Sequence, residues 1–421
     1  MTKCFAMNFP EIRIELDRLD RELAQLARFS DAEAPAVTRV LFTDADRAAR
    51  TYLKELFRSA SLSVSEDAAG NLFARWQGDQ PDLLAVGTGS HTDAIPYSGR
   101  YDGTVGVLGA LEAIRALKAI GWSPRRSIEL LMFTSEEPTR FGIGCLGSRL
   151  LCGALDPAVA AGLKDAAGAT FDDVRVQAGC AGTLADVRLP VGAYHAFVEL
   201  HIEQGPLLER ADIPIGAVTA IAAPASLRVE LTGEGGHAGT LLMPQRHDAL
   251  CAAAQIILAV ENAAKSTGRP DTVATTGVCK VHPDAVNSIP ARVTLEIDAR
   301  DTLLEPRDQV VGQIRDAIDQ HVRERDLQAS VTLLNADPPA QADPRVRAVI
   351  EAACAHLQSS CLPMVSRAYH DALFMARLCP TGMIFIPCRD GISHRQDEYC
   401  SPAAIERGTH VLALTLAALA G

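Results

Sequence analysis

Residues 127–140 read SIELLMFTSEEPTR, an apolar run that ends in two adjacent acidic residues, Glu136 and Glu137. Residues 83–86 form an earlier apolar run, and the segment 103–117 that follows it has the pattern of a helix. A strand, a helix and a strand in this order make a βαβ unit, in which the two strands are parallel. The sequence therefore predicts an α/β fold with a parallel sheet at this point of the chain.

The pattern changes after residue 214. Residues 227–232 and 291–297 alternate apolar and polar side chains, which is typical of antiparallel strands with one exposed face. The other elements predicted in this segment are a helix over 248–263, a helix over 309–322 and a strand over 330–334. We therefore expect a discontinuous α/β catalytic domain, made of residues 1–214 and 331–421, with an α+β domain inserted over 215–330.

Composition and charge exclude several classes of function. The 421 residues carry a formal net charge of −12, which argues against a nucleic-acid partner, because that needs a basic surface. No uncharged apolar run is long enough to cross a membrane and no secretory signal is visible, so we expect no membrane association. The 11 cysteines are scattered without a C-x-x-C pair, which indicates reduced thiols and a cytoplasmic location.

Side chains of the types that bind metal ions follow both strands of the predicted βαβ unit. His91 and Asp93 come after the first strand, Glu136 and Glu137 follow the second, and Asp102 precedes the helix. In open α/β sheets, ligands bind at the carboxyl ends of the strands. His91 and Asp93 share one face of an extended chain, so Asp93 is placed to accept a hydrogen bond from the second ring nitrogen of His91. Asp102 is either a helix N-cap or a carboxylate that bridges two metals.

Two further histidines complete a ligand set. His201 ends a predicted strand in the motif HIEQGP, and His394 lies in DGISHRQDEY after the last predicted strand. Three histidines and two carboxylates, without a thiolate, suit two ions of zinc, manganese, cobalt or nickel. In the tandem pair, one carboxylate can hold metal while its neighbour moves a proton. The sequence therefore predicts a metal-dependent hydrolase.

Other polar side chains are candidates for substrate binding. His237 lies among glycines in GEGGHAG, and Asn287 and Arg300 belong to NSIPARVTLEIDARD. Tyr369 and His370 form a polar pair in SRAYHDALF. A guanidinium binds a carboxylate through two parallel hydrogen bonds, so Arg300 suits a substrate carboxylate, and a surface ion pair is its alternative role. A loop histidine is the alternative for His237. No phosphate-binding loop, nucleophile elbow or dinucleotide motif is present.

The segments FTSEEPTRFGIGCLGSRLL, ELHIEQGP and SRAYHDALFMARL resemble the dinuclear metallopeptidase family M20, and within it the amidohydrolase and carbamoylase branch. The resemblance runs through nearly the whole chain. It implies that Glu136 is the general base, with Asp93 and His237 supporting catalysis. The metal ligands that it implies are His91, Asp102 as the bridge, Glu137, His201 and His394.

The same resemblance implies the surroundings of the metals. The inserted domain is expected to be a lid that also forms a homodimer, in which His237 reaches the partner subunit's site. The substrate-binding residues that the resemblance implies are Gln204, His237, Asn287, Arg300, Tyr369 and His370. Two divalent ions are expected as cofactors, with manganese as the common choice and zinc, cobalt or nickel as alternatives.

The reaction that this resemblance implies is hydrolysis of a ureido C–N bond. The expected substrate is ureidoglycolate, a small ureido carboxylate, which gives glyoxylate, ammonia and carbon dioxide in allantoin (purine) catabolism. Allantoate and N-carbamoyl-L-amino acids are alternative substrates within the branch. A peptidase and a non-catalytic binding module on the same fold are more distant alternatives. The presence of competent residues at all five ligand positions and at Glu136 argues against the binding module.

Overall fold

The structure, a computed structural model, describes residues 9–421. The chain divides into two compact units. The first combines the chain up to Thr219 with Ala342–Gly421, and the second is Ala220–Gln341. For comparison with the second unit, the inserted domain expected from the sequence covers 215–330.

Helices of the described chain lie in both units. The α-helices are α1 (Leu16–Ala27), α2 (Asp44–Ser59), α3 (Thr104–Ala119), α4 (Leu146–Cys152), α5 (Pro157–Gly162), α6 (Phe171–Gln177), α7 (Leu207–Ala211), α8 (Ala249–Ser266), α9 (Leu304–Glu324), α10 (Pro344–His356), α11 (Asp371–Met375) and α12 (Pro402–Ala420). Short 3₁₀ helices cover Leu184–Val187, Met243–Gln245 and Arg389–Gly391.

Strands also occur in both units. They are β1 (Val37–Arg39), β2 (Ser63–Glu66), β3 (Leu72–Trp76), β4 (Ala85–His91), β5 (Ala94–Ser98), β6 (Ile128–Phe133), β7 (Tyr194–Ile202), β8 (Ile215–Ile221), β9 (Ala223–Thr232), β10 (Gly236–His237), β11 (Val273–His282), β12 (Ser288–Ile289), β13 (Arg292–Asp301), β14 (Gln328–Ala336), β15 (Ala340–Gln341), β16 (Cys361–Ser366) and β17 (Thr381–Ile386).

The first unit is built on a mixed sheet in which β8, β17, β7, β4, β6, β3 and β2 lie side by side in that order. The four central strands, β17, β7, β4 and β6, are parallel to their neighbours in this group. Val86 pairs with Ile128 and His91 with Phe133, so β4 and β6 end at the same edge of the sheet. The predicted βαβ unit and the α/β fold class are confirmed.

Helix α3 completes this βαβ unit and packs against β4, β6 and β7. Nearly all of its side chains are buried, which explains why its sequence is apolar on every face. Gly106 permits the close packing, because a Cβ atom there would lie 2.4 Å from the carbonyl oxygen of Leu200 in β7. The burial of α3 holds its N-terminus, and the turn before it, against the carboxyl edge of the sheet.

The C-terminal helix α12 is long and apolar enough, by length and composition alone, to cross a membrane. However, 67% of that apolar segment is buried inside the fold. It packs against α3 and α10, and Val411 and Leu412 belong to the main core cluster. The sequence also predicts a buried helix for the C-terminal apolar run 411–421, and α12 is a core element of the first unit.

The second unit is an antiparallel sheet with strand order β11, β13, β9 and β14. Helices α8 and α9 pack against each other and against this sheet. Leu227, Val229 and Leu231 alternate with exposed residues along β9, so one face of the sheet forms a core with the helices. Asp248 caps α8 by accepting hydrogen bonds from the backbone N–H groups of Leu250 and Cys251. The alternation seen in the sequence is thus confirmed as an antiparallel sheet.

Some local expectations differ from the structure. The sequence also predicts a helix over residues 370–377, but helix α11 at this place covers only Asp371–Met375. His370 has extended backbone angles and is the N-cap of α11, so the helix begins only at Asp371. Strand β11 has no counterpart among the predicted elements, because neither of its faces is buried along its length.

Candidate metal centre

Five side chains meet at the carboxyl edge of the parallel strands in the first unit. His91 ends β4, His201 lies near the end of β7, and Glu137 follows β6. Asp102 stands in the turn before α3, and His394 lies in the loop after β17. Four of these side chains are buried, and His394 is 46% exposed. The sheet therefore brings together residues that are far apart in the sequence.

The two carboxylate oxygens of Asp102 face different partners. Its Oδ1 lies 3.2 Å from Nε2 of His201 and 3.5 Å from Nε2 of His91. Its Oδ2 lies 3.4 Å from Nε2 of His394, which is itself 3.1 Å from Oε1 of Glu137. Two groups of three possible ligands thus share one carboxylate, and the ligand atoms of each group lie within 4.8 Å of one another. The alternative role of Asp102 as a helix N-cap is wrong, since α3 has no side-chain cap.

The ring orientations of the two buried histidines suit metal binding. Nδ1 of His201 lies 2.8 Å from the carbonyl oxygen of Ile202, and Nδ1 of His91 lies 3.1 Å from the carbonyl oxygen of Asp93. A carbonyl oxygen only accepts hydrogen bonds, so the proton of each neutral ring sits on Nδ1 and the lone pair on Nε2. Both Nε2 atoms face Asp102. A nitrogen and oxygen donor set of this kind fits two divalent first-row ions.

Gly103 makes the close approach of this turn possible. Its φ is +65°, a conformation that residues with a side chain rarely adopt. A Cβ atom at this position would lie 2.4 Å from Nε2 of His91. The backbone N–H of Gly103 also donates a hydrogen bond to Nε2 of His201 at 3.2 Å. Glycine is therefore required here for the ligands to meet.

The charges of the cluster are strongly coupled. Burial opposes ionisation of Asp102, but hydrogen bonds from His201, His394 and His91 outweigh it and hold the pKa of this carboxyl well below its usual value. Hydrogen bonds to Asp102 and Glu137 raise the pKa of His394 to about 10. A cation bound by the same nitrogen and oxygen atoms would compete with protons for them.

Glu136 lies beside the cluster, with Oε2 at 3.7 Å from Nε2 of His91. Burial, with a contribution from neighbouring Glu137, raises the pKa of Glu136 well above its usual value. Its backbone N–H donates to Oδ1 of Asp93 at 3.2 Å, and the thiol of Cys145 donates to its Oε1 at 3.5 Å. The carboxylate is therefore held within reach of the ligands, in a setting that favours a proton.

His370 and Tyr369, which the sequence marks for substrate binding, are placed differently from each other. His370 is fully buried, with Nε2 2.9 Å from the hydroxyl of Ser366 and its ring centroid 4.5 Å from that of His201. Burial, and then the charge of His201, lower the pKa of His370 well below its usual value. The ring of Tyr369 stacks on Phe374 with centroids 6.2 Å apart. His370 thus supports a ligand side chain directly.

Gln204 lies against the metal cluster. Its φ is +56°, and its Nε2 donates a hydrogen bond to Oδ2 of Asp102 at 2.6 Å. Its Oε1 is buried and has no hydrogen-bond partner among the described residues. That oxygen is available to accept a hydrogen bond from a bound molecule.

The remaining candidates belong to the second unit. His237 is exposed, and its Nδ1 accepts the backbone N–H of Gly239 at 3.0 Å. Asn287 is exposed, and its backbone carbonyl oxygen accepts a hydrogen bond from the backbone N–H of Ala238. The guanidinium of Arg300 donates from Nε to Asp298 on the same strand at 2.7 Å.

The structure adds residues that the sequence does not single out. Glu398 and Ser393 contact the Asp102 turn, and Cys145 contacts Glu136. Glu199 forms a third possible ligand group with His201 and His370. Ser393 and Glu398 lie in the same sequence motif as His394. Their closeness in sequence to a predicted ligand is the signal that could have identified them.

Fold and site together define a metal-dependent hydrolase, with two ligand groups sharing one carboxylate beside a buried glutamate. The chain belongs to the peptidase family M20/M25/M40, whose pattern matches residues 87–418. This confirms the resemblance seen in the sequence.

Two relatives and one solved structure show where the chain lies within this family. It is 50% identical over 415 residues to the ureidoglycolate hydrolase of Arabidopsis thaliana, covering 97% of this chain and 87% of that protein. It is 37% identical over 412 residues to an N-carbamoyl-L-amino acid amidohydrolase of Geobacillus stearothermophilus, covering 97% and 99%. The crystal structure of AtUAH in complex with glyoxylate superposes with a TM-score of 0.87 and 50% identity, covering 97% and 98%.

Proposed function

We propose that this protein hydrolyses the ureido C–N bond of ureidoglycolate in allantoin (purine) catabolism. One observation carries the proposal: the two oxygens of Asp102 face two different ligand groups, beside the buried Glu136. A ureido carbonyl is a poor electrophile, so its hydrolysis needs both polarisation and a strong nucleophile. The identity to the Arabidopsis relative supports ureidoglycolate as the substrate.

The metal ligands in this proposal are His91, His201 and Asp102 on one side, and Asp102, Glu137 and His394 on the other. Two divalent ions held there, with manganese as the expected metal, would polarise the substrate carbonyl and lower the pKa of bound water. Asp102 would supply one oxygen to each group of ligands.

Glu136 moves the protons. As a carboxylate it takes a proton from the attacking water, which supplies the new C–O bond to the ureido carbon. As a carboxylic acid it returns that proton to the departing ammonia when the terminal C–N bond breaks. The remaining carbamate loses carbon dioxide, and the resulting hydroxyglycine releases a second ammonia to give glyoxylate. Burial raises the pKa of Glu136 above its usual value, which favours the protonated form that returns the proton.

The residues of the second unit enter through the family resemblance. Arg300 would bind the substrate carboxylate, Asn287 would also bind the substrate, and His237 would stabilise negative charge on the carbonyl oxygen. We further propose a homodimer formed through this unit, in which His237 serves the partner subunit's site. A cytoplasmic location belongs to the same proposal, supported by the ten cysteines of the described residues, all of them free thiols.

N-carbamoyl-L-amino acids are the second candidate substrate class, supported by the Geobacillus relative. Allantoate is a third, since it also carries a ureido group next to a carboxylate. The three differ in the groups flanking the ureido nitrogen, so the cluster itself does not discriminate among them.

Ammonia release after manganese reconstitution tests the proposal. Ureidoglycolate, allantoate and an N-carbamoyl-L-amino acid should be compared at matched concentrations, with metal-free protein as the blank. We expect the highest kcat/KM with ureidoglycolate. A higher value with either competitor would reassign the substrate, and no turnover of any of the three would reject ureido hydrolysis.

A further inference from the structure

Glu398 joins the two loops that carry Asp102 and His394. Its Oε1 accepts the backbone N–H of Tyr101 at 2.8 Å and that of Asp102 at 3.1 Å. Its Oε2 lies 2.9 Å from the hydroxyl of Ser393, the residue before His394. Glu398 is 6% exposed. One buried side chain therefore ties together two loops almost 300 residues apart in the sequence.

The contact also reaches the Asp102 side chain. The hydroxyl of Ser393 donates to Oδ2 of Asp102 at 2.6 Å, the oxygen that faces His394. The orientation of this carboxylate decides which oxygen faces which histidine. Glu398 thus fixes Asp102 from its backbone, and through Ser393 from its side chain.

Gly99 leaves the space that Glu398 occupies. A Cβ atom at position 99 would lie 2.3 Å from Cβ and 2.4 Å from Oε1 of Glu398. The φ of Gly99 is not positive, so the backbone conformation does not demand glycine here. Glycine is required at position 99 for a steric reason, because any side chain there would collide with Glu398.

The two ligand groups depend on this contact to different degrees. His91 and His201 lie on central strands of the sheet and are buried. His394 stands in a loop with φ +58° and is 46% exposed. His394 contacts Asp102 in a turn and Glu137 after β6, so this ligand group relies on loop contacts for its geometry.

We propose that Glu398 is a positioning residue that aligns Asp102 with His394 and thereby sets the affinity of their shared ligand group for its cation. The inference rests on the metal site of the proposed function. Glu398 acts on the metal ligands and does not contact the substrate.

Manganese titrations followed by calorimetry test this role in the purified full-length chain. In Glu398→Ala, one binding event should weaken about 10- to 100-fold, the usual effect of losing a group that orients a metal ligand, while the other stays unchanged. Gly99→Ala should give the same selective loss, because the new methyl group displaces the Glu398 side chain. This second variant keeps the test valid if Glu398→Ala folds poorly.

Two further variants separate positioning from general stability. Glu398→Gln retains Oε1 for both backbone N–H groups and offers an N–H to Ser393, so it should bind both ions nearly as the wild type does. Glu112→Ala removes another fully buried carboxylate of the same unit, one that accepts the backbone N–H of Glu15 and pairs with Arg18. It should lower Tm and leave both affinities unchanged.

The outcomes distinguish the two levels of the proposal. If both manganese ions bind with wild-type affinity in Glu398→Ala and in Gly99→Ala, the positioning role alone is overturned. An equal weakening of both binding events, reproduced by Glu112→Ala, would also overturn it. A wild-type protein that binds no manganese would reject the metal site itself and this inference with it.

Discussion

The carboxylate of Asp93 accepts the backbone N–H of Glu137 at 3.0 Å, and its other oxygen accepts the preceding N–H, that of Glu136. The carbonyl oxygen of Asp93 also faces Nδ1 of His91. Asp93 therefore holds a metal ligand on one strand end and the tandem glutamates on the next. In Asp93→Asn, the backbone N–H of Glu136 or of Glu137 would face the asparagine NH₂ group instead of an acceptor oxygen. We expect activity or metal affinity to fall about 10- to 100-fold, measured by kcat/KM and metal content.

Asp343 offers a matched control for this substitution. It also accepts two backbone N–H groups, those of Arg345 and Val346, but at the start of helix α10. Asparagine caps a helix about as well as aspartate, so Asp343→Asn should leave kcat/KM unchanged. Near-normal kcat/KM and metal content in Asp93→Asn would show that Asp93 does not organise the site.

The tandem glutamates should separate into two roles. Glu136→Gln removes the proposed base but no metal ligand, so kcat should fall by about 10²–10⁴-fold with metal content nearly intact. Glu137→Gln changes a proposed ligand 3.1 Å from His394 and should lower metal content as well as kcat. The readouts are metal content by elemental analysis and turnover of ureidoglycolate. Equal metal loss in both variants would mean that the assigned roles are not distinct.

The βαβ unit could be predicted from strong local patterns, and so could His91 and Glu137, while the full set of five ligands was implied by the family resemblance. The apolar runs at 83–86 and 127–133 end in polar residues, and parallel strands place such ends at one edge. Strand β11 could not be predicted in this way, because its residues alternate only between exposed and partly buried, and its partly buried positions include the small Ala274 and the polar Thr276. A strand of this kind is defined by its pairing with β13 rather than by its own sequence.

Glu398 shows a different limit. In the sequence it is one acid in a polar loop, where a solvated side chain is the usual outcome. Its burial depends on Gly99 and on the meeting of two distant loops, which only the folded chain reveals. His370 is a related case, since its polar neighbours suggest substrate binding while the fold packs it against His201. Local patterns therefore predict the ligands better than the residues that support them.

Arg300 should determine recognition of the substrate carboxylate. Hydrogen bonds to charged groups contribute about 1.5–3 kcal/mol, so Arg300→Lys should lower kcat/KM about 10- to 150-fold without changing metal content. The loss should shrink with a substrate amide that lacks the carboxylate. Asp298→Asn is the control, because Asp298 is the partner of Arg300 on its strand. An equal loss on both substrates, matched by Asp298→Asn, would mean that Arg300 supports only the fold of its strand.

His237 should act across a dimer. We expect His237→Ala and Glu136→Gln to be inactive alone and to recover part of the activity when mixed under subunit exchange. One site of each mixed dimer would then hold both an intact base and an intact partner histidine. Size-exclusion chromatography and a tagged subunit would verify exchange. Mixed dimers without recovered activity would contradict a shared site.

The products formed from ureidoglycolate test the central claim most directly. The manganese-loaded enzyme should be incubated with this substrate while ammonia, glyoxylate and urea are measured together, with Glu136→Gln as the blank. Hydrolysis of the terminal ureido bond should give two ammonia molecules for each glyoxylate and no urea. Urea in place of ammonia would mean that the bond between the α-carbon and the internal ureido nitrogen breaks. That result would contradict the proposed reaction.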